Sequence, residues 1–254
     1  SSPKNVLTVG YDGIVYRFDG QSWSKLPSGT NEHLHDLWGA DDTNVFVVGT
    51  RGAVLRYDGA KFAKQSTPSD EHLHGVWGTS AKDVWVVGRK GTLLHFDGAS
   101  WKAHSVTDQH LQAVHGTGPS DVWAVGKGGL VLHYDGARWS REDTKSEADL
   151  GGVWAPAPGQ AIAVGSGGTI LSYDGKAWRQ HKLPGGPVLR SVFGTAPNHV
   201  LAVGGPGAVA FYDGTSWKPQ RSAMAAFFRD VWLDRDGNAY AVGDEGAILR
   251  RTPR

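Results

Sequence analysis

The sequence predicts an all-β protein: a seven-bladed β-propeller with about 39 residues in each four-stranded blade, the first and last units being incomplete. Three observations carry that expectation. A Val-Gly pair recurs with its glycine at Gly10, Gly49, Gly88, Gly126, Gly165, Gly204 and Gly243, in steps of 39, 39, 38, 39, 39 and 39. Within one unit, "LHGVWG", "DVWVVG", "TLLHF" and "SWKAHS" are short apolar or alternating runs separated by Gly, Ser, Asp and Lys turns. The composition agrees, because 36 glycines, 11 tryptophans and one methionine suit many short strands and tight turns better than long helices.

Taken in chain order, the four runs of a unit are strands A to D. Helical repeats of similar length need apolar positions spaced by 3.6 residues, and that spacing is missing. The chain opens on a strand B, "NVLTVG", and its last run, "AILRRT", is a strand C. Strands B and C therefore occur seven times and A and D six times. Residues 1–254 read as a single propeller domain with no linker.

The corner between strands C and D repeats as "YRFDGQSW", "LRYDGAKF", "LLHFDGASW", "LHYDGARW", "LSYDGKAW" and "AFYDGTSW". Asp-Gly between two strands marks a tight turn, since the carboxylate accepts backbone N–H bonds and glycine supplies a positive φ. Asp19, Asp58, Asp97, Asp135, Asp174 and Asp213 are accordingly turn formers and not catalytic acids. The tryptophans also sit at repeat positions. Trp23, Trp101, Trp139, Trp178 and Trp217 open strand D, Trp38, Trp77, Trp154 and Trp232 close strand A, and Trp85 and Trp123 lie in strand B. Packing between blades, with each indole N–H on a nearby carbonyl, is the expectation for them.

These corners resemble the Asp-box (BNR-type) propeller repeat of sialidase-like and photosystem-assembly-factor-like proteins, in which Ser/Thr-x-Asp-x-Gly-x-x-Trp turns between two outer strands. "AVGSGGTILSYDGKAW" carries the likeness best. Asp and Gly are adjacent here, so the turn is one residue shorter than the family pattern. The resemblance extends to propeller lectins, several of which stack a sugar on repeated aromatics at each blade junction. It implies a binding function, for a glycan or for a protein under assembly.

A formal net charge of +1 supplies no overall field for nucleic acid, and no apolar run reaches the length that inserts into a membrane. The absence of cysteine removes disulfides, thiolate metal sites and thiol nucleophiles together. A start at Ser1-Ser2-Pro3 leans towards a processed, secreted or periplasmic protein. No cofactor is expected.

If strand A is innermost, as in Kelch-like propellers, the D-to-A and B-to-C connections share one rim, and this rim varies from blade to blade. Loops on a rigid scaffold are where sites are usually kept. The second residue of each strand A, His35, His74, Gln112, Gly151, Arg190 and Arg229, should ring the mouth of the central channel. His33, His72, His110, Asp149, Val188 and Phe227 lie two positions earlier, and Arg51, Arg89, Lys90 and Lys127 come from the B-to-C loops. Cationic and polar donors dominate this ring. The candidate ligand-binding set is His35, His74, Gln112, Arg190, Arg229, Arg51, Arg89 and Lys90.

The motifs "EHLHDLWG" and "EHLHGVWG" place His33 with His35 and His72 with His74 on one strand face, roughly 7 Å apart. That spacing suits a metal, although zinc needs three or four ligands converging within about 2.1 Å. Enzyme chemistry would draw on carboxylates outside the corners, namely Glu32, Asp36, Glu71, Asp149, Asp230, Asp244 and Glu245, but no spacing selects a pair among them. A sialidase would need an arginine cluster and a tyrosine nucleophile, and Tyr11 is the only tyrosine expected on the rim. Three functions follow, in order: a non-catalytic module for a glycan or small polar ligand, a glycoside hydrolase or lyase on the variable rim, and a protein-assembly scaffold docking through Arg51, Arg89, Lys90 and Arg190.

Overall fold

A computed structural model describes residues 5–234 and 237–251. The chain folds into seven antiparallel sheets in chain order, the blades of a β-propeller. Five have four strands. The first has three (Val6–Val9, Val15–Phe18, Trp23–Leu26), and so has the last (Phe228–Leu233, Ala239–Gly243, Ile248–Arg251). The expected shortfall is thus found among the described residues: strand A is missing from blade 1 and strand D from blade 7. Internal contacts divide the chain into two compact units, one ending at His115 and one beginning at Gly116.

Strand B is the core of each blade. Asn44–Gly49, Asp83–Gly88 and Ala161–Gly165 are hydrogen-bonded on both edges and covered on both faces, so their sequences are nearly continuous runs of Val, Phe, Trp, Ile and Ala. In the first unit, Phe46, Val48 and Val54 of blade 2 pack with Leu73, Val86, Leu94, Phe96 and Trp101 of blade 3. Truncating such a buried Phe or Trp to Ala costs about 3–5 kcal/mol.

All six Asp-Gly corners share one geometry. In the first, Asp19 Oδ1 accepts N–H bonds from Gln21 and Ser22, both 2.8 Å, and Asp19 N donates to Ser22 O. Asp58, Asp97, Asp135, Asp174 and Asp213 repeat it, and the following glycines hold φ between 90° and 100°. These bonds hold the Asp19 carboxyl below the usual range, while at Asp97 and Asp213 the bonds from Lys102 and Lys218 are the largest cause and the backbone N–H groups add to them. The aromatic opening strand D stacks on the one closing strand C in all six: Phe18 with Trp23, Tyr57 with Phe62, Phe96 with Trp101, Tyr134 with Trp139, Tyr173 with Trp178 and Tyr212 with Trp217, at 4.7–5.4 Å.

Packing between blades is found as expected, with Trp101 edge-on to Phe46 and Trp178 edge-on to Trp123. The expected carbonyl partners are corrected in two cases, because Trp123 Nε1 donates to the Asp121 carboxylate and Trp178 Nε1 to Glu142. A second repeated device crosses strands B and C. Arg17 bonds Asn5, Arg56 bonds Asn44, His95 bonds Asp83 and His133 bonds Asp121. In three of them the charged or imidazole group also covers a strand B ring: Arg56 over Phe46, His95 on Trp85 and His133 on Trp123.

Candidate functional site

Within each unit, strand A of one blade lies against strand A of the next: Leu34–Asp41 on Leu73–Ser80, then Leu150–Trp154 on Val188–Ala196 and Val188–Ala196 on Phe228–Leu233. The B-to-C and D-to-A connections meet on one rim, joined by backbone bonds. Thr50 N donates to His33 O at the start of its own blade, and Gly52 N to Glu71 O ahead of the next. Arg89 N to His72 O, Ser166 N to Asp149 O, Gly168 N to Pro187 O and Gly207 N to Ala226 O repeat the pattern.

Each B-to-C loop is a tight turn with two consecutive residues in the left-handed region in six blades. The second of the two is always glycine; the first is Asp12, Arg51, Lys90, Gly128, Gly167 or Glu245. Glycine is required at the second place because the loop presses on the following connection. A Cβ at Gly52, Gly91 or Gly129 would lie 2.1, 1.8 or 1.7 Å from the carbonyl oxygen of Ser69, Thr107 or Ser146. The first place faces solvent, so the side chains of Arg51 and Lys90 are 79% and 73% exposed.

Strand A enters its blade through a β-bulge. The register slips between Leu34 and Asp36, Leu73 and Gly75, Leu150 and Gly152, Leu189 and Ser191, and Phe228 and Asp230. The extra residue is His35, His74, Gly151, Arg190 or Arg229, which are five of the six positions expected to form the ring. A bulge releases its residue from the ladder and re-aims its side chain.

The bulge also dissolves the expected histidine pairs. His33 turns away from His35: its Nδ1 accepts Asp12 N–H at 3.0 Å, and its ring meets Tyr11 edge-on at 4.9 Å. His35 instead stacks on His74 of the next blade at 5.4 Å, with its Nδ1 2.7 Å from Leu73 O. Desolvation, with His35, Arg89, His72 and His110 nearby, pushes the pKa of half-buried His74 down to about 4. His35 is lowered by the same cause, with the bond to Leu73 O acting against it. Among the described residues no three His, Cys, Asp or Glu side chains gather as a metal site, and His33, His35, His72 and His74 do not converge.

The expected cationic ring is partly neutralised. Arg51 pairs with Glu32 at 3.5 Å, Lys90 with Glu71 at 2.7 Å, and Arg229 makes a two-pronged bond to Asp244 at 2.7 and 2.8 Å. Asp36, Asp149 and Asp230 are also engaged. Asp36 accepts N–H bonds from Leu37 and from Val76 of the next blade, Asp149 one from Gly128, and Asp230 the Ser191 hydroxyl. Thr79, Asp83 and His95, repeated as Thr117, Asp121 and His133, contain the residue types of a hydrolytic triad. Each threonine donates to the aspartate at 2.5 Å, however, and so is not paired with an imidazole base.

Blades 5 to 7 present a different rim, which residue-type arguments missed. Val188 and Phe227 are 37% and 45% exposed, Met224 beside them 37%. A Cβ at Gly205 would fall 1.8 Å from Phe227 Cδ1, so the ring packs directly against the Gly205 backbone at the end of strand B of blade 6. A cavity of about 200 Å³ opens next to it, walled by Leu183, Pro187, Pro206, Val209 and Pro219.

Fold and site together define a seven-bladed β-propeller with uniform corners and a loop rim that changes from blade to blade. No known protein-family model matches the chain, and no curated protein matches its sequence. Solved structures match its fold. YCF48 bound to a D1 peptide superposes with a TM-score of 0.80 at 15% identity, over 100% of this chain and 91% of that one. YCF48 from Cyanidioschyzon merolae gives 0.79 at 16%, over 99% and 92%, and the RRP9 WD40 repeats 0.79 at 10%, over 96% and 85%. At these identities the likeness is one of fold.

Proposed function

We propose that the chain is a non-catalytic binding module whose ligand is a segment of another protein, taken on the rim of B-to-C loops and D-to-A connections. One observation carries this reading. Corner aspartates, strand D tryptophans and strand B networks repeat and are engaged in packing, whereas the bulge side chain differs between groups of blades: His35 and His74, then Gly151, then Arg190 and Arg229. A rigid scaffold with variable loops is the arrangement of a recognition surface. That one protein of the same fold carries a bound peptide supports the choice of ligand.

A carbohydrate ligand has less support. The repeated tryptophans that would stack a sugar already have a Tyr or Phe of their own blade against one face. The test is a parallel screen of folded protein on a peptide array and a glycan array at two ionic strengths. Peptide binding that weakens with salt is the expected result. Glycan binding with a silent peptide array would overturn the reading.

A further inference from the structure

The total charge of +1 conceals a segregation along the chain. Residues 175–229 contain seven lysines and arginines and a single carboxylate, Asp213. That carboxylate is held in its corner by Thr215, Ser216 and Lys218. Within this stretch, Lys182 and Arg190 flank the connection that walls the cavity, and neither forms an ion pair with a described residue. Arg190 is close enough to lower the Asp244 pKa, but both Asp244 oxygens bond Arg229.

The apolar surface is continuous with that charge. Pro187 in the cavity wall is followed by exposed Val188, and Pro206 in the opposite wall follows Gly205, on which Phe227 rests. A cavity of about 200 Å³ holds one large side chain. Its prolines, Pro184, Pro187, Pro206 and Pro219, have no N–H to offer a sugar hydroxyl. Their fixed φ keeps the walls in place before a ligand arrives. A recessed cavity takes an inserted side chain, whereas a lipid surface is met by protruding ones.

Resting on the reading that the ligand is a protein segment, we propose that this face binds an extended acidic segment: one large apolar side chain enters the cavity between blades 5 and 6, and flanking carboxylates meet Lys182 and Arg190. Charge complementarity selects the segment, and the apolar side chain sets its register.

The experiment uses the full chain and fluorescein-labelled peptides on a Gly-Ser background, read by anisotropy. One set has phenylalanine or leucine flanked by glutamate and aspartate. A second replaces the acids by lysine, a third replaces the apolar residue by serine, and phosphatidylserine vesicles are run alongside. Only the first set is expected to bind. Arg190→Glu and Lys182→Glu, exposed changes that leave the fold alone, should each weaken it about tenfold. Ala208→Phe fills the cavity and should abolish it, while Arg89→Glu on the histidine rim should leave it unchanged.

If the acidic peptides bind, survive Arg190→Glu and Lys182→Glu, and are lost in Arg89→Glu, this face is wrong while the protein-ligand reading stands. Vesicle binding without peptide binding overturns both. A set that binds nothing overturns the proposal, and the reading above is then decided by its own peptide and glycan comparison.

Discussion

The rim of blades 2 and 3 and the rim of blades 6 and 7 share the bulge at the entry of strand A and a loop-to-connection bond, Gly52 N to Glu71 O in the one and Gly207 N to Ala226 O in the other, although the blade 6 loop has a single residue, Gly207, in the left-handed region. In the first, the bulge carries His35 and His74, stacked and held largely neutral, and the loop cations Arg51 and Lys90 each have a carboxylate partner. In the second, the bulge carries Arg229, paired with Asp244, and Arg190, which has no ion pair among the described residues, and the same rim exposes Val188, Met224 and Phe227. The backbone device is therefore neutral as to ligand. Chemistry is decided by the bulged residue and by what the loop two strands later brings up to it.

The largest difference between the two should lie in how tightly loop and connection are joined. Gly91→Ala puts a Cβ 1.8 Å from Thr107 O at a φ of +67°, and we expect a loss of about 3 kcal/mol in denaturant unfolding. Gly207→Ala has the same φ sign, but its nearest atom is Met224 O at 2.9 Å, so about 1 kcal/mol should suffice. Equal losses would mean that the two rims are equally rigid.

A smaller contrast concerns pH. His74 has a folded-state pKa of about 4 against an ordinary value of 6.5. Between those values the unfolded chain binds the proton more readily, so stability falls as pH drops from 6.5 towards 4 and is unaffected above 6.5. With partial exposure taken into account the loss is on the order of 1–2 kcal/mol. His74→Gln should flatten that part of the profile, and Arg190→Gln should leave its slope unchanged. A profile that Arg190→Gln alters as much as His74→Gln would break the contrast.

Phe227→Ala removes a half-exposed ring from Gly205 and should cost about 1 kcal/mol, read from the thermal midpoint. Glu71→Gln removes the partner of an exposed lysine and should leave the midpoint where it is. Should Glu71→Gln exceed Phe227→Ala, the ion pairs of the first rim would be structural and not surface chemistry.

Much of the architecture is local in the chain and could be read there. An Asp-Gly corner closes within four residues, so the carboxylate, the glycine and the aromatic that stacks beyond them are all visible in one octapeptide. The site was legible only as a set of positions. Strict alternation places His33 and His35 on one face, but Leu34 and Asp36 slip against strand B, and that slip exists only when the two strands pair. The pairing of Arg51 with Glu32 depends likewise on a loop folding back over the connection that precedes its own blade. The carboxylate-poor stretch was countable, yet it is hidden in a net charge of +1 and acquires meaning only beside a cavity.

By itself the sequence determined the repeat, the strand order within a blade and the corners, because each follows from backbone propensities acting over a few residues and copied along the chain. Which rim residues meet was decided by the tertiary structure alone. The stacking of His35 on His74 and the seat of Phe227 on Gly205 join residues 39 and 22 positions apart, and such contacts are set by register and blade packing. No residue's own conformational preference encodes them.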